Sequence, residues 1–198
     1  MITQKNVAFF ASGEGTTFRA FLEQWKQGIL PIQPAILVTN NSTCGAVTIA
    51  HEYGVEVFHI SAKTLPNEQA FASEMLQKLQ DAKIELILLV GYMKKLPVNV
   101  IEHFKGCIYN THPALLPKYG GKGMYGIHVH TAVLRNHETE SGATIHLVTE
   151  EYDEGQIIAQ TVVPVVPNDT PEILQERVKL AERKLYIETI RALVFDSN

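Results

Sequence analysis

An asparagine and a histidine lie two residues apart in "YNTHPALLPKYGG", residues 109–121, at the end of an apolar run. Residues two apart on a strand point to the same side, so Asn110 and His112 are expected to share one face. An amide can donate to a developing oxyanion, and an imidazole can pass a proton near neutral pH. Pro113 then fixes the direction in which the chain leaves the strand. These residue types indicate acid–base chemistry at a carbonyl group.

An imidazole with this role needs a partner that favours its protonated form. Asp153, in the polar loop "EEYDEG", is the best candidate for that carboxylate. His146, in "TIHLV", is a further candidate for the same site. The remaining histidines of this region lack the cysteine or carboxylate spacing of a zinc site and are interpreted as structural, namely His128, His130 and His137. No metal site is predicted.

The glycine-rich stretch "SGEGTT", residues 12–17, follows the first apolar run and opens a helical pattern. Free N–H groups at a helix start bind anions, so the loop is expected to hold one phosphate through Gly15, Thr16 and Thr17. A dinucleotide fingerprint would need glycine where Phe18 stands, and no Lys-Ser/Thr pair completes a nucleoside triphosphate loop. A plain strand-to-helix turn remains the alternative interpretation.

The elements that must position these residues follow from apolar patterns. Runs typical of strands buried on both faces occur at residues 7–12, 35–40, 56–60 and 86–91. Helical spacing separates these runs at Phe18, Phe21, Leu22 and Trp25, at Ala72, Met75, Leu76 and Leu79, and over residues 42–54. Alternating strands and helices predict a doubly wound, mostly parallel α/β sheet.

The second half of the chain has a different pattern. A strand is predicted at 107–112, and after a glycine-rich loop a short helix is predicted around 128–137. Runs at 143–149 and 156–165 are close enough in sequence to form an antiparallel hairpin. A long final helix is expected to begin with Thr170 as N-cap and Pro171 as its first residue, and its buried stripe is Leu174, Val178, Ala181 and Leu185.

Composition limits the class of protein. The 198 residues are 45% hydrophobic and 19% charged, with a net charge of −4, which disfavours nucleic-acid binding. The two cysteines, Cys44 and Cys107, lie far apart and form no disulfide framework. No segment approaches the roughly 20 apolar residues of a membrane span, and no signal peptide is recognised. A single cytoplasmic domain, residues 1–198, is the expectation.

Three segments together resemble a known family: "NTHPALLPKYGG", "SGATIHLVTEEYDEGQII" and "RVKLAERKLY". They are similar to the phosphoribosylglycinamide formyltransferases, the 10-formyltetrahydrofolate-dependent enzymes of purine biosynthesis, and the likeness runs from "VAFFASGEGTT" nearly to the C-terminus. The resemblance implies a formyltransferase fold. It divides the domain into a phosphate-binding half, residues 1–105, and a catalytic and folate-binding half, residues 106–198.

The resemblance also implies an activity, in which a formyl group passes directly from folate N10 to the amine of glycinamide ribonucleotide. Asn110 would bind the oxyanion, His112 would donate the proton, and Asp153 would support His112 and relay protons. The implied partners are these two small molecules, with folate as co-substrate, without metal, nucleic acid or membrane, and with the chain as monomer or homodimer.

Binding residues are implied in the same way. Gly15, Thr16 and Thr17 would hold the ribotide phosphate, and Glu182 would bind the ribose or glycinamide portion. The folate would be met by Met93, Lys94, Lys95, Leu96 and Asn110.

Several positions depart from the family pattern. Thr17 stands where asparagine is usual, Lys94 and Lys95 replace an Arg-Ile pair, and Glu68 replaces a folate-contacting arginine. The segment Gly120–His130 is an insertion.

Other functions stay open. Another folate formyltransferase or a hydrolase is possible, although a tRNA-directed enzyme would need a further C-terminal domain and a hydrolase an N-terminal regulatory one. A non-catalytic α/β protein that binds a phosphoribosyl ligand is the alternative from a different class.

Overall fold

A computed structural model of the chain describes residues 4–63 and 65–196. These residues divide into two compact units, one formed by the described residues between 4 and 108 together with 193–196, and the other by residues 109–192. That the chain is a single domain, divided after residue 105, remains a prediction.

The first part of the chain alternates strands and helices, as the apolar runs predict. In order, the elements are β1 Lys5–Phe10, α1 Thr16–Lys26, β2 Ile32–Thr39, α2 Gly45–Tyr53, β3 Glu56–His59, α3 Glu68–Asp81, β4 Leu86–Leu89 and α4 Val98–His103. β1 pairs in parallel with both β2 and β4, and β2 pairs in parallel with β3. The apolar runs of β1, β2 and β4 are largely buried because a parallel strand is covered on both faces, and Val7 through Ala11 are fully buried. The prediction that residues 56–60 form a strand buried on both faces is wrong for β3, whose residues are exposed or half-buried because it is the edge strand of the sheet. The six-residue α4 was not predicted, because it is too short to show a helical period.

The second part of the chain confirms the predicted hairpin and final helix. Its elements are β5 Ile108–His112, α5 Ile127–Arg135, β6 Glu140–Leu147, β7 Ile157–Pro164 and α6 Pro171–Asp196. β6 runs antiparallel to β5 and to β7. α6 begins at Pro171 as predicted, and the Thr170 hydroxyl accepts the Ile173 N–H at 3.3 Å. Leu174 and Val178 lie in one core cluster with Val133, Ala143 and Val163, against which Ala181 and Leu185 pack.

The strands follow the order β3-β2-β1-β4-β5-β6-β7 in one mixed sheet. The predicted fold class, a mostly parallel α/β sheet with an antiparallel C-terminal hairpin and a long final helix, is confirmed. Among the described helices, none is long and apolar enough to cross a membrane.

Candidate active site

The register between β5 and β6 gathers four polar side chains on one face of the sheet. Asn110 lies opposite His146, and His112 lies opposite Thr144. Directly opposed residues of antiparallel strands share a face, as do residues two apart on one strand. The expectation that Asn110 and His112 point the same way therefore agrees with the register. Of the four side chains, only Asn110 is not fully buried.

Asp153 reaches both histidines from the turn between β6 and β7. Its Oδ2 lies 3.4 Å from His112 Nδ1, and its Oδ1 lies 3.5 Å from His146 Nε2. The aspartate holds a left-handed backbone with φ +59°, which is uncommon outside glycine. Two residues later Gly155 packs so closely on the Leu147 carbonyl that a Cβ would lie 1.7 Å from its oxygen. The turn is thus shaped to aim the carboxylate.

His146 orients the amide of Asn110. Its Nδ1 donates to the Leu147 carbonyl at 2.9 Å, so in the neutral ring Nε2 is free of a proton and accepts from Asn110 Nδ2 at 3.2 Å. Burial lowers the pKa of His146 and so favours this neutral form. The amide nitrogen of Asn110 keeps a second N–H for another acceptor.

His112 is held from its other side by the backbone. Its Nε2 lies 2.7 Å from the carbonyl oxygen of Tyr119, which can only accept, so Nε2 carries a proton. Two residues on, the N–H of Gly121 donates to Asp153 Oδ2 at 2.9 Å. The ring atom that faces the carboxylate is therefore Nδ1. Neither backbone contact was predicted, because each depends on how the loop folds back.

The chain leaving β5 is pinned by Thr144. Its hydroxyl donates to the Ala114 carbonyl at 2.6 Å and accepts the Leu116 N–H at 3.0 Å. Gln160 on β7 donates both to this hydroxyl and to the Leu116 carbonyl. Hydrogen bonds that are linked in this way hold their members in place. The strand end bearing His112 is thereby fixed.

Glu182 lies on α6 and is half-buried. Burial raises the pKa of its carboxyl to about 7. Thr111 lies between Asn110 and His112 on β5, so by strand alternation it points to the face of the strand opposite to theirs. Its hydroxyl is close enough to the Glu182 carboxyl to oppose this rise, although the two do not form a full hydrogen bond. Glu182 is therefore an acid that ionises near neutral pH.

The inserted segment Gly120–His130 forms a turn that leads into α5. Gly121, Gly123 and Gly126 all have positive φ. His130, at the end of the insertion, is buried, and among the described residues its Nδ1 has no hydrogen-bond partner. Burial lowers the pKa of His130 to about 4.

The predicted phosphate loop belongs to the first unit. Gly15 caps α1 with φ +74°, and a Cβ there would lie 2.7 Å from Ala46 Cα. Thr16 and Thr17 begin the helix. Helix α2 is held against this loop by the Ala46 N–H, which donates to the Gly13 carbonyl at 3.1 Å. The loop has the geometry of a helix N-terminus that can receive an anion.

The segment after β4 is joined to the end of β1 by Ser12. Its hydroxyl donates to Asn40 Oδ1 at 2.5 Å and accepts the Met93 N–H at 2.9 Å. Met93, Lys94 and Lys95 are exposed, whereas Leu96 is buried. Glu68, the position of the absent family arginine, is exposed in the first turn of α3.

Comparisons with known proteins bear on this site. A sequence model described as "Formyl transferase" matches residues 5–190. The chain belongs to the formyl transferase family. The predicted resemblance to this family is therefore confirmed.

Several formyl transferases are close in sequence and structure. The chain is 44% identical over 191 residues to the chloroplastic phosphoribosylglycinamide formyltransferase of Arabidopsis thaliana, covering 96% of this chain and 65% of that protein. The crystal structure of glycinamide ribonucleotide transformylase 1 from Geobacillus kaustophilus has a TM-score of 0.89 at 37% identity, covering 96% of this chain and 99% of that one. The phosphoribosylglycinamide formyltransferase of Bacillus halodurans gives a TM-score of 0.90 at 33% identity, covering 98% and 97%. The chain spans somewhat less than two thirds of the length of the plant relatives.

Proposed function

We propose that the chain transfers a formyl group from 10-formyltetrahydrofolate to the amine of 5-phosphoribosylglycinamide. The observation that carries the proposal is the convergence of Asn110, His112 and Asp153, with His112 Nδ1 3.4 Å from the aspartate. Membership of the formyl transferase family supports the reaction type. Relatives named for phosphoribosylglycinamide support the acceptor.

In the proposed reaction the acceptor amine attacks the formyl carbon, and a C–N bond forms while the carbonyl oxygen becomes an oxyanion. The free N–H of Asn110 donates to that oxygen, an effect worth about 10²–10³ in rate. His112, protonated on Nδ1, gives its proton to folate N10 as the old C–N bond breaks, which contributes about 10²–10⁴. The attacking nitrogen loses one proton, which Asp153 accepts through water and returns to His112. Bonds and protons therefore balance, and no metal takes part.

Substrate contacts are proposed for each unit separately. In the first unit, the N–H groups of Gly15, Thr16 and Thr17 bind the ribotide phosphate. The Met93–Leu96 stretch contacts the pteridine, and because the Met93 N–H is bonded to Ser12, that residue would use its carbonyl oxygen. In the second unit, Glu182 binds the ribose or glycinamide portion, and its ionisation near neutral pH suits a partner that carries an amine.

Two further predictions concern the location and the assembly of the protein. The cytoplasmic location stays a prediction, and the plant relatives are named as chloroplastic. The state as monomer or homodimer is also a prediction.

The direct test is to mix the protein with glycinamide ribonucleotide and 10-formyltetrahydrofolate and to follow the deformylated folate. The proposal expects folate release that depends on the ribotide, together with formylated ribotide by mass spectrometry. Release without the ribotide would instead indicate a hydrolase. No release under either condition would favour a non-catalytic binding protein.

Replacing His112 with alanine tests the proposed proton donor. We expect near-complete loss of formyl transfer, at least about 10²-fold, because His112 supplies the proton to N10 in the proposed reaction. Ribotide binding, measured by calorimetry, should be largely retained. His51→Ala is the matched control, since His51 is exposed on α2 and its loss should leave turnover unchanged. Normal turnover in the His112 variant would remove the mechanism.

A further inference from the structure

One short backbone segment, Tyr119–Gly120–Gly121, binds both acid–base residues of the proposed mechanism. The Tyr119 carbonyl accepts from His112 Nε2 at 2.7 Å, and the Gly121 N–H donates to Asp153 Oδ2 at 2.9 Å. Between them, Gly120 packs so tightly that a Cβ would lie 2.7 Å from Leu116 Cδ2 and 3.2 Å from Asp153 Cβ. The position of this segment therefore sets the distance between imidazole and carboxylate.

Tyr119 is held in an unfavourable backbone conformation by its own side chain. Its φ is +58°, which persists in a residue other than glycine only when the surroundings enforce it. The phenol hydroxyl donates to Glu138 Oε1 at 3.0 Å and accepts from Asn136 Nδ2 at 2.9 Å. Lys118 bonds both oxygens of the same glutamate. The ring also packs on the core cluster that includes Val133.

The Tyr119 carbonyl also determines which nitrogen of His112 exchanges its proton. A carbonyl oxygen only accepts, so Nε2 carries a proton whether the ring is neutral or charged. The second proton is therefore gained and lost on Nδ1, which faces Asp153. A shift of the carbonyl would free Nε2 and allow the other neutral tautomer, in which Nδ1 keeps its proton and the two nitrogens exchange roles.

We propose that Tyr119 is a positioning residue for the acid–base pair: anchored by Glu138, its carbonyl fixes His112 in the Nε2–H tautomer and presents Nδ1 to Asp153. This inference rests on the proposed formyl transfer for its kinetic test, but its tautomer test does not depend on any activity. Tyr119 would act through His112 and not on the substrates.

The kinetic test is Tyr119→Phe, which keeps the ring on the core cluster and removes the bond to Glu138. We expect kcat for formyl transfer to fall roughly threefold to tenfold, as the loss of one hydrogen bond implies. KM for both substrates should stay unchanged. The high-pH limb of the kcat profile should move to lower pH, because the protonated His112 ring is no longer held against Asp153.

Two further variants separate positioning from folding. Glu138→Leu removes the same anchor from its other end, so it should shift the profile similarly, and the double variant should show no added shift. Tyr186→Phe is the matched control, because the Tyr186 hydroxyl donates to the Tyr109 carbonyl of β5 at 2.7 Å. It should lower the melting temperature and leave the pH profile unmoved. An unshifted profile in Tyr119→Phe, the same shift in Tyr186→Phe, or additive shifts in the double variant would overturn the proposal.

The tautomer test uses nitrogen NMR of protein labelled with ¹⁵N-histidine, with the His112 signals assigned from their absence in His112→Gln. The proposal expects the neutral ring to be protonated on Nε2, and expects Tyr119→Phe to show the Nδ1–H form as well. A parent protein protonated on Nδ1, or an unchanged tautomer in Tyr119→Phe, would contradict it. Because no substrate is present, this result stands even if the chain proves not to transfer formyl groups.

Discussion

At the scale of single residues, the direction in which Asn110 presents its amide is set by His146. Strand alternation alone predicts that Asn110 and His112 share a face, yet it leaves the amide free to rotate. The neutral His146 ring accepts one N–H from Asn110 at 3.2 Å and so directs the nitrogen end of the amide. The two residues are 36 positions apart, and only the register of β5 against β6 brings them together.

The charge of Asp153 can be tested without removing its hydrogen bonds. In Asp153→Asn the side-chain oxygen can still accept from Gly121, but the negative charge beside His112 Nδ1 is lost. The protonated imidazole is then less favoured, so the high-pH limb of the kcat profile should move to lower pH. Steady-state kinetics across pH 5 to 9, a range of about two units around neutrality, would measure this.

Asp169→Asn serves as the control for that experiment. Asp169 is paired with Arg177 at 2.7 Å in the turn before α6, so its loss removes a comparable carboxylate elsewhere. This variant should lose some stability and keep its rate profile. If the limb of Asp153→Asn stays in place as well, Asp153 must serve another purpose.

At the scale of elements, the glycines of the β1–α1 loop differ in what they contribute. Gly13 has no atom within 4 Å of a Cβ placed on it, whereas at Gly15 the Cα of helix α2 residue Ala46 would be 2.7 Å away. In the sequence, Gly13 and Gly15 cannot be told apart, because both are glycines of one strand-to-helix turn. The difference arises because α2, which is 30 residues distant, packs on one of them.

This difference predicts unequal costs for two alanine substitutions. Gly28 has φ +73° with open space around it, so Gly28→Ala should cost about 1 kcal/mol for backbone strain alone. Gly15→Ala adds the clash with Ala46 to the same strain and should cost about 2–4 kcal/mol. Urea unfolding of both variants would measure the free energies of unfolding. Equal losses would mean that α2 moves aside at little cost.

At the scale of the whole molecule, two ionisable groups, one buried and one half-buried, couple stability to pH in opposite directions. His130, with its pKa lowered to about 4 from 6.5, contributes stability above pH 6.5 that is lost as the pH falls toward 4. Glu182, with its pKa raised to about 7 from 4.5, holds a proton in the folded chain that the unfolded chain has released. The contribution of Glu182 to folding stability is present below pH 4.5 and is lost as the pH rises to 7.

Replacing Glu182 with glutamine should remove the second of these effects. At 1.36 kcal/mol per pKa unit, the parent should lose up to about 3 kcal/mol relative to Glu182→Gln between pH 5 and 8. Urea unfolding at both pH values would measure the difference. Glu188→Gln, an exposed change on the same helix, should change stability equally at both pH values. The same pH dependence in parent and Glu182→Gln would contradict the coupling.

The amino-acid sequence by itself determined the elements other than the short helix α4, since apolar runs, caps and glycines act over a few residues. It predicted β5, the β6–β7 hairpin and the start of α6 at Pro171, and it singled out Asn110, His112 and Asp153. Only the tertiary structure decided the partners of these three, which are His146, the Tyr119 carbonyl and the Gly121 N–H. The physical reason is that a tautomer and a side-chain direction are set by contacts across strand register and loop return. Those contacts join residues from 7 to 36 positions apart, which no local pattern records.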